Sequence, residues 1–145
     1  MECKVKWVGP DGMTFVAETE SGHAFVMDGA PEGGGRNLGP RPMETVLAGT
    51  GACAAYDVVL ILKRGRHDVR GCRVKVTSER AATDPKVFTQ IHLHFVVAGM
   101  AVPAAAVERA IALSHERYCS ATIMLAKTAA ITTSYELIAS GDAQM

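Results

Sequence analysis

Apolar and polar residues alternate along the first quarter of the chain, and that alternation predicts β-structure. Cys3 to Val8 alternates and is followed by the turn Gly9-Pro10-Asp11-Gly12, which precedes a second strand over Met13 to Thr19. Ser21-Gly22 makes another turn before a third strand, His23 to Met27. Asp28 to Pro42 holds five glycines beyond Met27 and three prolines, too many breakers for regular structure, and predicts a long loop. From Met43 to Leu62 the chain is apolar with helical spacing. Glu44 stands in the first turn, Lys63 and Arg64 in the last, and Gly65 at the natural stop. Apolar residues surround this helix almost entirely, which predicts burial on most of its sides.

The second half alternates again. Val69 to Glu79 sets Cys72, Val74 and Val76 opposite Arg73, Lys75 and Thr77. After Asp84-Pro85, Val87 to Val97 sets Ile91, Leu93, Phe95 and Val97 opposite Gln90, His92 and His94. Gly99 to Val102 breaks that strand, and Pro103 opens a helix predicted to run to about Tyr118. Ser120 to Lys127 either continues it or forms a short helix of its own. A last strand spans Ala129 to Leu137, with a frayed tail after Ile138. The order βββ-α-ββ-α-β, with strands joined by short turns, predicts an α+β fold with largely antiparallel sheets and a single domain over residues 1–145.

Composition narrows the function. A chain of 145 residues is long enough to support its core without disulfide staples. Fifteen acidic residues balance fifteen Lys and Arg, so charge gives no reason to expect nucleic acid. No basic amphipathic stretch suits a membrane surface, and Asp57 interrupts the one run long enough to span a bilayer. The first residues lack the apolar block of a secretion signal, so a cytoplasmic location is expected. Thiols stay reduced there, and any pairing among Cys3, Cys53, Cys72 and Cys119 would be transient and catalytic.

Cys53 lies mid-helix in the small-residue run Ala48-Gly49-Thr50-Gly51-Ala52-Cys53-Ala54-Ala55. Tyr56 and Asp57 are one turn away, and a nearby carboxylate opposes thiol ionisation. A reactive thiolate at Cys53 therefore needs a cation from outside its helix, with Arg36, Arg41 and Arg117 as candidates. The plain alternative is a small buried hydrophobe. Cys119 has His115 and Arg117 nearby, an electropositive setting or simply a covered helix end. Cys72 alternates with Val74 and Val76 as a core residue would, and Cys3 is expected to be inert. His92-x-His94 has a spacing metals use, with His115 and Cys119 as conceivable further ligands, although solvent is the simpler neighbour.

Two segments taken together carry a resemblance. Pro42-Met43-Glu44, continuing through Gly51-Ala52-Cys53 to Asp57-Val58, resembles the cysteine helix of the OsmC/Ohr family, the osmotically inducible and organic hydroperoxide resistance proteins. Leu113-Ser114-His115-Glu116-Arg117-Tyr118-Cys119-Ser120 resembles the second cysteine motif of its YhfA-like branch. The resemblance implies an intertwined homodimer with central helices between the subunits. It implies thiol peroxidase chemistry, with Cys53 attacking an organic hydroperoxide, Cys119 resolving the sulfenic acid as a disulfide, and an external thiol reductant restoring both. It implies no cofactor, metal or haem. Glu44 and Arg41 are the candidates for the family's supporting carboxylate and arginine. The chain departs from the family pattern in placing Met43 directly after Pro42, so that Glu44 comes one residue later, a rotation of about 100° on a helix. The same dimer holding a small apolar ligand or sensing redox state, without turnover, is the alternative.

Overall fold

A computed structural model describes residues 1–139, and the predicted frayed tail lies largely outside the described residues. The chain forms two compact units, Met1–Leu47 and Ala48–Met145, divided within one long helix. That helix, α1, runs Pro42–Arg64.

In the first unit β1 (Cys3–Trp7), β2 (Phe15–Thr19) and β3 (Ala24–Met27) form an antiparallel meander in the order β1-β2-β3. Trp7 faces Phe15, which in turn faces Met27. Ala17 is buried, whereas Val5, Trp7, Phe25 and Val26 remain exposed on this three-stranded sheet. The loop that follows is irregular apart from one 3-10 turn, Pro31–Gly33. Its organiser is Asp28, a buried carboxylate that accepts backbone N–H bonds from Gly29 (2.8 Å), Leu38 (3.0 Å) and Arg36 (3.1 Å). The Leu38 N–H holds the Asp28 carboxyl below the usual carboxylate range, against the opposing effect of burial. Because the folded value is depressed, its contribution to stability is complete above the unfolded value of about 3.9 and is lost as pH falls through the folded one. Asp28→Asn is expected to lower the thermal midpoint at pH 7 and to flatten its fall below pH 5. Melting curves of both proteins across that range check this.

The second unit is built on a mixed sheet, β4-β5-β6, formed by Asp68–Arg80, Phe88–Met100 and Ala130–Ala139. β4 and β5 are antiparallel, with Val76 opposite Leu93 and Val74 opposite Phe95. β6 lies parallel to β5, with Leu93 opposite Thr133 and Phe95 opposite Tyr135. The largely antiparallel prediction therefore needs one correction: β5 and β6 are joined by a helical crossover, as parallel neighbours require. β5 also continues to Met100 rather than stopping at Val97. Gly99 does not break it, because a Cβ there would strike the Asp68 carbonyl and the Val102 side chain, and glycine lets the strands approach.

Ile91, Leu93, Phe95 and Val97 are the fully buried face of β5, as alternation predicts, and form the centre of the core. Against them α1 buries one stripe, Thr50, Gly51, Ala54, Val58 and Leu62, spaced by about one turn. At Gly51 an added Cβ would lie 2.8 Å from Val76 Cγ2, so the helix rides close to β4. Burial on most sides of α1 does not hold within the single chain. Tyr56 is 69% exposed, Val46 is exposed, and Ala52, Ala55, Tyr56, Val59 and Leu60 line an open groove of about 460 Å³ with Cys72 and Lys63. A helix apolar all round needs cover on every side, and one sheet face covers a single stripe. α1 is the one helix among the described residues with the length and composition to cross a membrane, yet it carries Asp57 at mid-length and packs on its own sheet.

The crossover begins with α2 (Ala104–Leu113), which buries Val107, Ala110 and Ile111. The regular helix predicted to reach Tyr118 instead widens at Ser114–Tyr118 into a π turn, closed by the Cys119 N–H donating to the Ser114 carbonyl (2.8 Å). α3 (Ser120–Leu125) is a separate short helix for which Cys119 is the N-cap.

Candidate active site

Cys53 and Asp57 are one turn apart on the face of α1, and the π turn brings Cys119 to them. A π turn inserts one residue into a helix and shifts everything beyond it, a distortion often found at functional sites. Here it leaves Ser114 and Cys119 both buried, with Cys119 0% exposed, while Glu116, Arg117 and Tyr118 between them face solvent. The Cys53 and Cys119 sulfurs and an Asp57 carboxylate oxygen all lie within 4.8 Å of one another. Ser114 Oγ donates to Asp57 Oδ2 (3.1 Å) and fixes that carboxylate. Both cysteines are free thiols.

Electrostatics at Cys53 pull in two directions. Burial pushes its thiol above the ordinary cysteine value, opposed by the Ala121 N–H aimed at the sulfur from the first turn of α3. The contact with Cys119, its charge when ionised, and the Asp57 carboxylate all push the same way as burial. Three potential anions thus converge, and no cation is among the groups that shift Cys53. Arg117, a candidate for that role, is exposed.

In the first unit Arg41 Nη1 pairs with Glu44 Oε1 (2.9 Å), and the Arg41 N–H donates to Glu44 Oε2 (2.9 Å). These contacts hold the Glu44 carboxyl below its ordinary range, the backbone bond contributing most. The carboxylate and the arginine proposed from sequence are therefore each other's partners, at the first turn of α1.

Cys72 is half-buried rather than core, and burial raises its thiol. Cys3 is exposed on β1. His92 and His94 are half-buried and engaged by β6. His92 Nδ1 meets Thr132 Oγ1 (2.7 Å), and Ser134 Oγ stands 2.8 Å from both His92 Nε2 and His94 Nδ1. The ligand set of His92 and His94 with His115 and Cys119 is not assembled: among the described residues, the one group of three such side chains close enough to share an ion is Cys53, Asp57 and Cys119. Sequence reasoning missed Ser114 and Ala121. Ser114 lies inside the second cysteine motif, but its partner is fifty-seven positions away, and only the fold joins them.

Cys53 thus sits at the middle of a long apolar helix, and Cys119 between the two helices of the crossover, in an α+β chain. The chain belongs to the OsmC-like protein family, whose sequence model matches residues 33–134. It is 50% identical over 139 residues to protein YhfA of Escherichia coli strain K12, covering 96% of this chain and 99% of that relative. A solved structure of a hypothetical protein from Aquifex aeolicus VF5 is 28% identical with a TM-score of 0.82, covering 95% of this chain and 96% of that one. An organic hydroperoxide resistance protein OsmC from Legionella pneumophila has the same fold at 19% identity and a TM-score of 0.69, covering 94% of this chain and 97% of the other.

Proposed function

We propose that this chain is a thiol-dependent peroxidase that reduces organic hydroperoxides, and that Cys53 and Cys119 carry the reaction. The observation that carries the reading is the approach of two free thiols, one of them fully enclosed, to within 4.8 Å. In the first step the Cys53 thiolate attacks the distal peroxide oxygen. The O–O bond breaks, the alkoxide takes a proton and leaves as the alcohol, and Cys53 becomes a sulfenic acid. Cys119 then condenses with it, releasing water and forming the disulfide. An external dithiol reduces that bond by exchange and is itself oxidised. The Ala121 N–H is placed to stabilise charge on the Cys53 sulfur. Ionisation at neutral pH also calls for a cation, and α1 itself supplies none beside Cys53. The names of the Legionella protein and of an organic hydroperoxide resistance protein from Elizabethkingia anophelis point the same way.

The reading includes a homodimer in a reducing cytoplasm. Its support is the apolar groove beside Tyr56, Val59 and Leu60, together with the exposed Val5, Trp7, Phe25 and Val26. Exposed apolar surface of this kind, taken on each unit by itself, marks interaction sites.

A second reading, a dimer that binds a small apolar ligand without turnover, is favoured by one specific observation: the groups around Cys53 raise rather than lower its thiol. Treating the reduced protein with less than one equivalent of cumene hydroperoxide, then alkylating, separates the two. Mass spectrometry is expected to find a Cys53–Cys119 disulfide in proportion to the peroxide added. Both thiols alkylated in full would support the binding reading instead.

A further inference from the structure

We propose that the reduced site is also a binding site for a zinc-type divalent cation, held by Cys53 Sγ, Cys119 Sγ and an Asp57 carboxylate oxygen, with a fourth position open to water. The proposal uses the two thiols of the peroxidase reading but does not rest on their turnover.

The donor set suits such an ion. Two thiolates and a carboxylate are ligands that zinc accepts in tetrahedral sites, and three protein ligands leave one position free. With Zn–S near 2.3 Å, a tetrahedral ion needs its two sulfurs about 3.8 Å apart. The three donors already lie within 4.8 Å of one another, so side-chain adjustments of about an ångström complete the cage. The carboxylate is pre-oriented, because Ser114 Oγ donates to Asp57 Oδ2 (3.1 Å). Hydrogen bonds of that kind, one step outside the ligands, are what orient them in metal sites. Cys119 is fully enclosed, while Cys53 and Asp57 are half-buried, which gives a path of entry on one side. The convergence of three acidic groups is unfavourable for any two of them as anions, and a divalent cation removes that repulsion.

The ion held there competes with turnover and is no cofactor for it. Both lone-pair-bearing sulfurs are committed to the metal, so neither is free to attack a peroxide oxygen. Conversely, once the cation has dissociated, one equivalent of hydroperoxide oxidises the two thiols, joining Sγ to Sγ with the alcohol and water as products, and the disulfide no longer holds the ion. The site is then a cation store that oxidation empties.

Cobalt(II) is the probe. The chain of residues 1–145, reduced and stripped with a chelator, is titrated with Co2+ and then with Zn2+. A sulfur-to-cobalt charge-transfer band in the near ultraviolet is expected, saturating at one ion per chain and bleached by zinc. The band should vanish in Cys53→Ser and after oxidation of the pair with diamide, and persist in Cys3→Ser and Cys72→Ser. Asp57→Asn should retain the band but weaken the apparent affinity at least about tenfold. Absence of the band, its survival in Cys53→Ser, or an unchanged midpoint in Asp57→Asn would overturn the proposal. Hydroperoxide consumption by the stripped chain, measured in parallel, reports on the peroxidase alone. A cobalt band without peroxide consumption upholds the metal site and counts against the peroxidase.

Discussion

Cys53→Ser is expected to abolish hydroperoxide consumption, lowering the rate with cumene hydroperoxide and a dithiol at least about a hundredfold. A serine hydroxyl is a far weaker nucleophile than a thiolate, and a carboxylate such as Asp57 is too weak a base to ionise it. The substitution is close to isosteric at a half-buried position, so the fold should survive, and circular dichroism checks that it does. Cys119→Ser should behave differently. It leaves the first step intact and removes the second, so one equivalent of peroxide is consumed and a sulfenic acid remains at Cys53, trapped by a dimedone-type reagent. Peroxide consumption equal to that of the unmodified chain in Cys53→Ser would reject the assignment of roles. The inverse pattern, with the trapped sulfenic acid on Cys119, would exchange them. That exchange has a physical motive, because the contact between the sulfurs favours the protonated form of Cys53.

Phe95→Ala should cost about 3–5 kcal/mol of unfolding free energy. Phe95 is 1% exposed at the centre of β5, between Val74 of β4 and Tyr135 of β6. Truncation removes its transfer free energy and leaves a cavity that a three-stranded sheet paired on both sides cannot readily close. Domains of this size are stable by about 5–15 kcal/mol, so the loss is a large share of the total. Urea unfolding should show a lower midpoint with an unchanged slope. A change under about 1 kcal/mol would mean that β5 is not the centre of the core.

The strands were legible because alternation reports which face is buried. β5 is the clearest case: every apolar residue assigned inward from Ile91 to Val97 is buried, and His92 and His94 lie on the other face. α1 was legible at both ends, from Pro42 and Glu44 at the start to Lys63, Arg64 and Gly65 at the stop. Its surroundings were not. Apolar residues all round a helix state that cover is needed, without stating whether one chain provides it. The parallel placement of β6 was equally hidden, since pairing across a crossover depends on contacts far apart in sequence. The π turn escaped for another reason. Ser114 to Tyr118 has ordinary helical composition, and the widened turn is set by which side chains are drawn inward, Ser114 to Asp57 and Cys119 to Cys53. The proximity of the two thiols was expected only from the resemblance of their motifs, because nothing in residue spacing folds the end of one helix onto the middle of another.

The hydroxyl of Ser134, poised between two imidazoles, has one hydrogen to give. It cannot donate to His92 and His94 at once, so satisfying both contacts requires at least one of the facing nitrogens to carry a hydrogen of its own. The tautomers of the two rings are therefore not independent: a change in one is felt by its neighbour through a single oxygen, and Thr132 extends the chain to the far side of His92. The outer face of this sheet is, in that sense, one linked proton array and not two separate side chains.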